Sequence, residues 1–318
     1  MIAMKIKNVC IIGGSGFVGQ HIAHLLAARE IKVRILTRRR EYAKSLLVLP
    51  TVDVIETNIH DPRKLGQSLV GVDAVINLVG ILDGDFISTH IELPKKIVAA
   101  CEQNGVSRLL HMSALHASTN GTSAYLRSKG EGEKIIIESN LETTIFKPSV
   151  IFGPGDSFLN LFANLVKRLP VFPLGSPNAK FQPVFIEDVA EAIIASLSTP
   201  ATFGQSYNLC GPKIYSLRQL VEYVSTITRN KLSIIGLGDR LSYLQAMCLE
   251  FLPGKLMTRD NYLSMKTDSI CDCNDESDLI KIFGLCPTEL EEAAPLYLVH
   301  NTPRGRYTGF RDRAGRKN

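Results

Sequence analysis

Asn8-Val9-Cys10-Ile11-Ile12-Gly13-Gly14-Ser15-Gly16-Phe17-Val18-Gly19 is a short apolar run that ends in four glycines. Gly13, Gly16 and Gly19 fit G-x-x-G-x-x-G, and Gly14, Gly16 and Gly19 fit G-x-G-x-x-G, so spacing leaves both variants open. Both require the same physics. Gly13 and Gly14 permit a tight strand-to-helix turn, and Gly16 lets the backbone approach a phosphate closely. Gly19 lets the next helix pack on the strand, and the helix N-terminus then faces an anion. Ser15, Phe17 and Val18 complete the loop that would cradle a dinucleotide's pyrophosphate.

The surroundings support this reading. Phe17 to Arg29 carries apolar residues at Val18, Ile22, Leu25 and Leu26, as an amphipathic helix would, and Lys32 to Leu36 returns as a strand. The βαβ unit closes in about 30 residues. At the end of its second strand, a coenzyme with free ribose hydroxyls would normally meet Asp or Glu. Here Thr37-Arg38-Arg39-Arg40 offers no carboxylate. Guanidinium groups suit bidentate contact with a 2′-phosphate, so NADP(H) is expected in preference to NAD(H), with Thr37, Arg38 and Arg39 in contact.

Strands and helices continue to alternate, with strands expected at Val52–Thr57, Ala74–Val79, Arg108–Met112 and Thr143–Phe146. The fold class is therefore α/β, a doubly wound parallel Rossmann sheet with a smaller C-terminal lobe on the substrate side. Asn58 and Ile59 follow the third strand, where an adenine commonly sits. Leu78, Val79 and Gly80 end the fourth, at the crevice used by ligands in open α/β sheets. Pro94 interrupts the helix expected from about Thr89 to Gln103 and bends its first turns.

A chain of 318 residues suggests about two domains, and its 45% hydrophobic content can supply a sizeable core. The dinucleotide domain is expected to comprise 1–155 with 182–210, and the substrate-side lobe 156–181 with 211–302. No apolar run approaches a membrane-spanning length, and no basic-then-apolar leader pattern occurs, so a cytoplasmic location is expected. Seven cysteines, an odd number without C-x-x-C, read as reduced thiols. Cys271, Cys273, Cys286 and His300 match no common zinc spacing, so no metal is expected.

Charge is concentrated at one end. Residues 303–318 contain Arg304, Arg306, Arg311, Arg313, Arg316 and Lys317 against Asp312, which accounts for the whole net charge of +5. Such a tail is expected to be disordered in isolation and suited to anionic lipid, nucleic acid or an acidic subunit. Without a folded recognition module, specific nucleic-acid binding is not expected.

The candidate chemistry lies past the fifth strand. Ser113 ends that strand, and Tyr125 and Lys129 share one face of the next helix. A nearby ammonium is expected to lower the phenol's pKa, so that Tyr125 exchanges a proton with a carbonyl or hydroxyl oxygen that Ser113 also binds. Lys129 could also hold the nicotinamide ribose. Tyr262 and Lys266 repeat the Y-x-x-x-K spacing, but Glu250 stands where Ser113 would correspond.

With these residues in place, the chain resembles the extended and atypical branch of the short-chain dehydrogenase/reductase superfamily, whose members are epimerase/dehydratase-like. The resemblance covers about residues 5 to 230. It rests on G-G-S-G-F-V-G at 13–19, N-L-V-G at 77–80, Ser113, Y-L-R-S-K at 125–129, K-P-S-V-I-F-G-P-G-D at 147–156, V-F-I-E-D-V-A at 184–190 and Y-N-L-C-G-P at 207–212. It implies that Ser113, Tyr125 and Lys129 form a catalytic triad and that Pro148 and Val150 border the nicotinamide.

Two departures narrow the substrate. Sugar-nucleotide epimerases of this branch usually carry Arg-Pro where Lys147-Pro148 stands, and Arg-Asp where Phe181-Gln182-Pro183 stands. Lack of a diphosphate-binding guanidinium argues against a nucleotide-sugar. The sequence is more similar to the atypical subgroup that holds the nucleotide-binding accessory subunit of respiratory complex I and its bacterial relatives, also through residues 256–261 and 265–268. That resemblance implies a bound NADPH serving structure more than turnover, near the membrane and a quinone site.

Leu241 to Leu252 has two readings. It covers the substrate crevice as core, or it presents Leu241, Leu244, Met247, Cys248 and Phe251 to lipid or a partner. Two functions follow. One is an NADPH-dependent oxidoreductase acting on a small carbonyl or quinone-related compound. The other is an NADPH-stabilised accessory protein of a respiratory membrane complex, attached peripherally through 241–252 and 303–318.

Overall fold

Cys10, Ile11 and Ile12 are completely buried because strand β1 (Asn8–Ile12) runs through the middle of the sheet with helices on both faces. The computed structural model describes residues 6–230, 232–252, 255–271 and 278–299. Six further strands join β1: β2 (Lys32–Thr37), β3 (Val52–Glu56), β4 (Ala74–Asn77), β5 (Arg108–Met112), β6 (Glu142–Pro148) and β11 (Gln205–Leu209). All pairs are parallel, in the order β11-β6-β5-β4-β1-β2-β3. The winding direction reverses between β1 and β4, which opens a crevice at the carboxyl ends of these two strands.

Short strands β7 (Ile151–Phe152), β8 (Val171–Leu174), β9 (Lys180–Phe181), β10 (Val184–Phe185), β12 (Tyr215–Ser216) and β13 (Ser233–Gly236) form three small pairs outside this sheet. The helices are α1 (Phe17–Ala28), α2 (Pro62–Ser68), α3 (Leu93–Gln103), α4 (Ala124–Ile137), α5 (Leu159–Val166), α6 (Ile186–Ser196), α7 (Leu217–Ile227), α8 (Asp239–Glu250), α9 (Arg259–Ser264), α10 (Asp278–Lys281) and α11 (Leu290–Leu298). Ile22 and Leu26 of α1 join Val189 and Ile193 of α6 on one face of the sheet. Leu65 of α2, Leu93 and Ile97 of α3 and Ile136 of α4 cover the other. A separate core joins Leu159 and Phe162 of α5, Leu220 and Val224 of α7, and Ala294 and Leu298 of α11.

Local chemistry sets several boundaries. Asp61 caps α2 by accepting from the Arg63 and Lys64 N–H groups, with Pro62 at the first helical position. Pro94 bends its segment as expected, and the bend has a definite form: Ile87–Glu92 winds as a wide π-turn before α3 starts at Leu93. The wide turn accommodates the missing proline N–H and buries His90.

Three expectations need correction or refinement. Cys210, at the end of β11, forms a disulfide with Cys271, so not all cysteines are reduced thiols. The partners are 61 residues apart and meet because segment 268–271 pairs beside Lys180–Gln182. Cys10 and Cys101 are buried free thiols. Cys271 is thus unavailable to the zinc grouping considered above, of which Cys273 and His300 lie outside the described residues. Helix α8 buries Ser242 and Ala246 and leaves Leu241, Leu244 and Cys248 exposed, with Phe251 exposed just beyond it. These exposed side chains are therefore not part of the core. The basic segment 303–318 lies outside the described residues. No described helix is long and apolar enough to cross a membrane.

Candidate functional site

The turn from β1 into α1 depends on glycine at Gly13, Gly14 and Gly19. Gly13 has φ +84°, and a Cβ there would press on the Leu78 and Val79 backbone at 3.2 Å. A Cβ on Gly19 would lie 2.4 Å from the Gly14 Cα, so helix and strand touch only because both residues lack one. Gly16 is exposed and opens α1 without any side-chain cap. The first N–H groups of α1 thus face the crevice as donors for an anion. These features fit a dinucleotide diphosphate.

At the ribose end, the Thr37 Oγ1 lies 3.2 Å from the Ser15 Oγ, which ties β2 to the glycine loop. Arg38 and Arg39 are exposed, and the Arg39 guanidinium stands 6.0 Å from the centre of the Tyr42 ring. The expectation of no carboxylate here needs revision. Glu56 of β3 is in register with Thr37, and its carboxylate accepts from the Arg40 N–H at 3.0 Å. Sequence spacing hid it because strand pairing alone brings it in. Asn58 accepts from the His60 N–H, and Ile59 is buried beside it.

Past β4, the Leu78 N–H still donates to Ile12 and the Val79 N–H to the Asn77 side chain, leading to Gly80. A Cβ on Gly80 would lie 3.1 Å from the Lys129 Nζ. Lys129 is buried and donates to the Met112 carbonyl at 3.0 Å. Burial pulls its pKa down to about 8, partly opposed by Glu133. The Tyr125 ring packs edge-on against His90 at 5.7 Å and Phe86 at 6.3 Å. Burial pushes its phenol up to about 12, the opposite of the expected depression, because desolvation outweighs any nearby cation. The Pro148 carbonyl accepts the Leu115 N–H, and the Val150 carbonyl accepts the Val184 N–H.

Tyr125 and Lys129 are brought to the β4 and β5 ends together, but Ser113 is oriented elsewhere. Its hydroxyl donates to the Glu133 carboxylate at 2.5 Å, and Glu133 also binds the Lys147 ammonium at 2.6 Å. The second Y-x-x-x-K pair has another role: Tyr262 and Lys266 both bind Asp239, joining α9 to α8.

His90 and Glu133 were not singled out from the sequence. His90 accepts the Ile81 N–H at Nε2 and shares its Nδ1 proton with Ser128 at 2.8 Å. The bend signalled by Pro94 was the only local hint of its turn. His90 and the buried His111 are both held down to about 3, mainly by desolvation and then by Lys129. Unfolding lets each imidazole protonate below its ordinary value of 6.5, so stability is full above that pH and lost as pH falls towards 3. At pH 5 the loss is roughly 2 kcal/mol per histidine. The urea midpoint should therefore fall clearly between pH 7 and pH 5. An unchanged midpoint would mean that both rings protonate inside the folded chain.

Comparisons with known proteins agree with this architecture. The model of the NAD dependent epimerase/dehydratase family matches residues 9–210. The chain is 32% identical over 228 residues to the NADH dehydrogenase [ubiquinone] 1 alpha subcomplex subunit 9 of Mus musculus, covering 69% of this chain and 60% of that protein. It is 28% identical over 196 residues to a ceramide reductase of Caulobacter vibrioides, covering 60% of this chain and 61% of that protein. This chain thus spans only about 60% of the length of either relative. An NADPH-dependent quinone oxidoreductase of Escherichia coli, solved with NADPH, superposes with a TM-score of 0.73 at 18% identity, covering 91% of this chain and 99% of that one. With its glycine turn, seven-stranded parallel sheet and a match extending from β1 to the end of β11, the chain belongs to the NAD dependent epimerase/dehydratase family.

Proposed function

We propose that the protein is an NADP(H)-dependent oxidoreductase of the short-chain dehydrogenase/reductase type, reducing a small, apolar carbonyl or quinone-related compound. The observation that carries this reading is the approach of Lys129 to Gly80, with Tyr125 one helical turn away and the uncapped start of α1 across the crevice. Gly13 to Gly19 would hold the diphosphate. Asn58 and Ile59 would border the adenine, and Leu78, Val79, Gly80, Pro148 and Val150 the nicotinamide half.

Bound there, the coenzyme supplies a hydride. Tyr125, protonated throughout the neutral range, donates its phenolic proton to the substrate oxygen. The Lys129 ammonium favours the resulting phenolate. Ser113 acts through Glu133, which fixes α4 against β5 and β6. Phe86, His90 and Tyr125 form an aromatic wall suited to an apolar substrate. The Lys147 ammonium is engaged with Glu133, which disfavours a nucleotide-sugar diphosphate at that position.

The test is single-turnover oxidation of bound NADPH with a panel of quinones and carbonyl compounds, comparing wild type with Tyr125→Phe. A compound that drives oxidation in the wild type and stalls in the variant supports the enzyme reading. Coenzyme preference has its own check. The exposed Arg38 and Arg39 favour a 2′-phosphate, so NADPH should bind at least about tenfold more tightly than NADH, as one or two charge-assisted contacts would give. Arg38→Ala with Arg39→Ala should erase the difference. Equal calorimetric affinities in the wild type would refute NADP(H) selectivity.

A second reading draws on the mouse relative, itself a subunit of NADH dehydrogenase, and on the exposed Leu241, Leu244 and Phe251. On this reading NADPH stabilises an accessory protein of a respiratory complex, attached at the inner face of a membrane through 241–252 and 303–318. NADPH would then raise the thermal midpoint without being oxidised by any compound.

A further inference from the structure

Helix α9 lies within residues 256–268, which the proposed chemistry leaves without a role. It is a short helix held by a reciprocal capping box in which the Thr258 hydroxyl accepts the Asn261 N–H and the Asn261 side chain accepts the Thr258 N–H. Asp260, in the first turn between them, reaches outside its own helix. One carboxylate oxygen accepts the Ala124 N–H at 2.7 Å, and the other accepts the Tyr125 N–H at 3.0 Å. These are the first two N–H groups of α4.

The local cap covers neither of them. Of the first three N–H groups of α4, the Ser123 hydroxyl accepts that of Leu126, at 3.1 Å. A helix start carries partial positive charge, so a carboxylate from 135 residues away is a favourable and charge-assisted partner for the two remaining donors. Flanking contacts strengthen the junction. Ser264 bonds the Ser123 hydroxyl at 2.8 Å, and the Thr122 hydroxyl reaches the Leu263 carbonyl and Thr267, each at 3.2 Å.

The same segment also grips the opposite rim. The Asn261 amide donates to the Leu82 carbonyl at 3.3 Å, and Lys255 pairs with Asp83 at 2.6 Å. Leu82 and Asp83 follow Gly80, whose floor lies against Lys129. One short helix therefore holds both the backbone start of the tyrosine helix and the loop beyond the β4 crevice.

We propose that Asp260 is a positioning residue for Tyr125: its carboxylate anchors the first turn of α4, and α9 fixes that turn at a set distance from the Gly80 to Asp83 rim. The proposal rests on the reading of Tyr125 as proton donor. Its physical content is geometric, since a displacement of about 1 Å at a reacting group can slow a reaction about 100-fold.

The experiment compares wild type, Asp260→Ala and Asp260→Asn by two measurements. The first is amide hydrogen exchange over residues 124–126, with NADPH bound. The second is single-turnover NADPH oxidation together with the NADPH dissociation constant. Asp260→Ala should exchange at least about tenfold faster over 124–126 and oxidise NADPH at least about tenfold more slowly, with affinity changed less than about twofold, because the glycine turn lies elsewhere. Asp260→Asn keeps one acceptor and should recover part of both losses.

If Asp260→Ala does not fold, the asparagine variant alone carries the comparison, with intermediate exchange and an intermediate rate expected. Unaltered exchange in either variant, or an unaltered rate where the wild type turns over, overturns the proposal. If the wild type oxidises NADPH with no compound, the enzyme reading fails and exchange alone decides whether Asp260 anchors this turn.

Discussion

Tyr125→Phe should slow the oxidation of bound NADPH by about 10² to 10⁴, the usual contribution of a positioned proton donor. That range corresponds to about 3 to 5 kcal/mol of transition-state stabilisation. Coenzyme affinity should change little, because no described residue forms a hydrogen bond with the Tyr125 hydroxyl and the ring retains its packing on His90 and Phe86. The pH dependence has a definite sign. Tyr125, near 12, stays protonated in the neutral range, whereas Lys129, near 8, loses its proton as pH rises through that value. The reaction should therefore slow above about pH 8, and Lys129→Met should remove this dependence along with most of the rate. A phenylalanine variant as fast as wild type would rule out Tyr125 as the donor.

Gly19→Ala should damage both folding and coenzyme binding. Its Cβ would fall 2.4 Å from the Gly14 Cα, where the obstacle is backbone and no side chain can rotate away. Overpacking of this kind costs about 1–3 kcal/mol and sometimes more, so the thermal midpoint should drop by several degrees. Displacing the start of α1 should also weaken NADPH at least about 100-fold, as the donors facing the diphosphate move together.

Two other glycines separate the causes. A Cβ on Gly16 would meet only the Gly13 carbonyl, at 3.2 Å, so Gly16→Ala should weaken NADPH with little change in midpoint. Gly66 in α2 has only the Asn104 side chain nearby, at 3.9 Å, and Gly66→Ala should leave binding and folding intact. If Gly19→Ala bound NADPH normally, the turn would not be the coenzyme cradle.

The positions most legible in the sequence were those whose conformation depends on near neighbours. Gly13, Gly14 and Gly19 announced a tight turn because the required φ and the missing Cβ are properties of those residues themselves. Periodicity located α1, and Pro94 foretold a bend, though not the π-turn it produced. Tyr125 and Lys129 could be paired because helix geometry sets their relation four residues apart. Ser113 could not be oriented in the same way. Its partner, Glu133, lies 20 residues away and is also held by Lys147 from a neighbouring strand.

The chain's own order of residues determined the alternation of strands and helices, the glycine turn and the pairing of a tyrosine with a lysine, because backbone sterics and apolar periodicity act over a few residues. Only the folded arrangement decided that Glu56 approaches the arginine end, that Cys210 bonds Cys271, that the Tyr125 phenol is pushed upward, and that Asp260 meets the start of α4. Each of these depends on burial or on contact between segments far apart in the chain. Neither is encoded in local spacing; both arise when the sheet and its flanking helices close on one another.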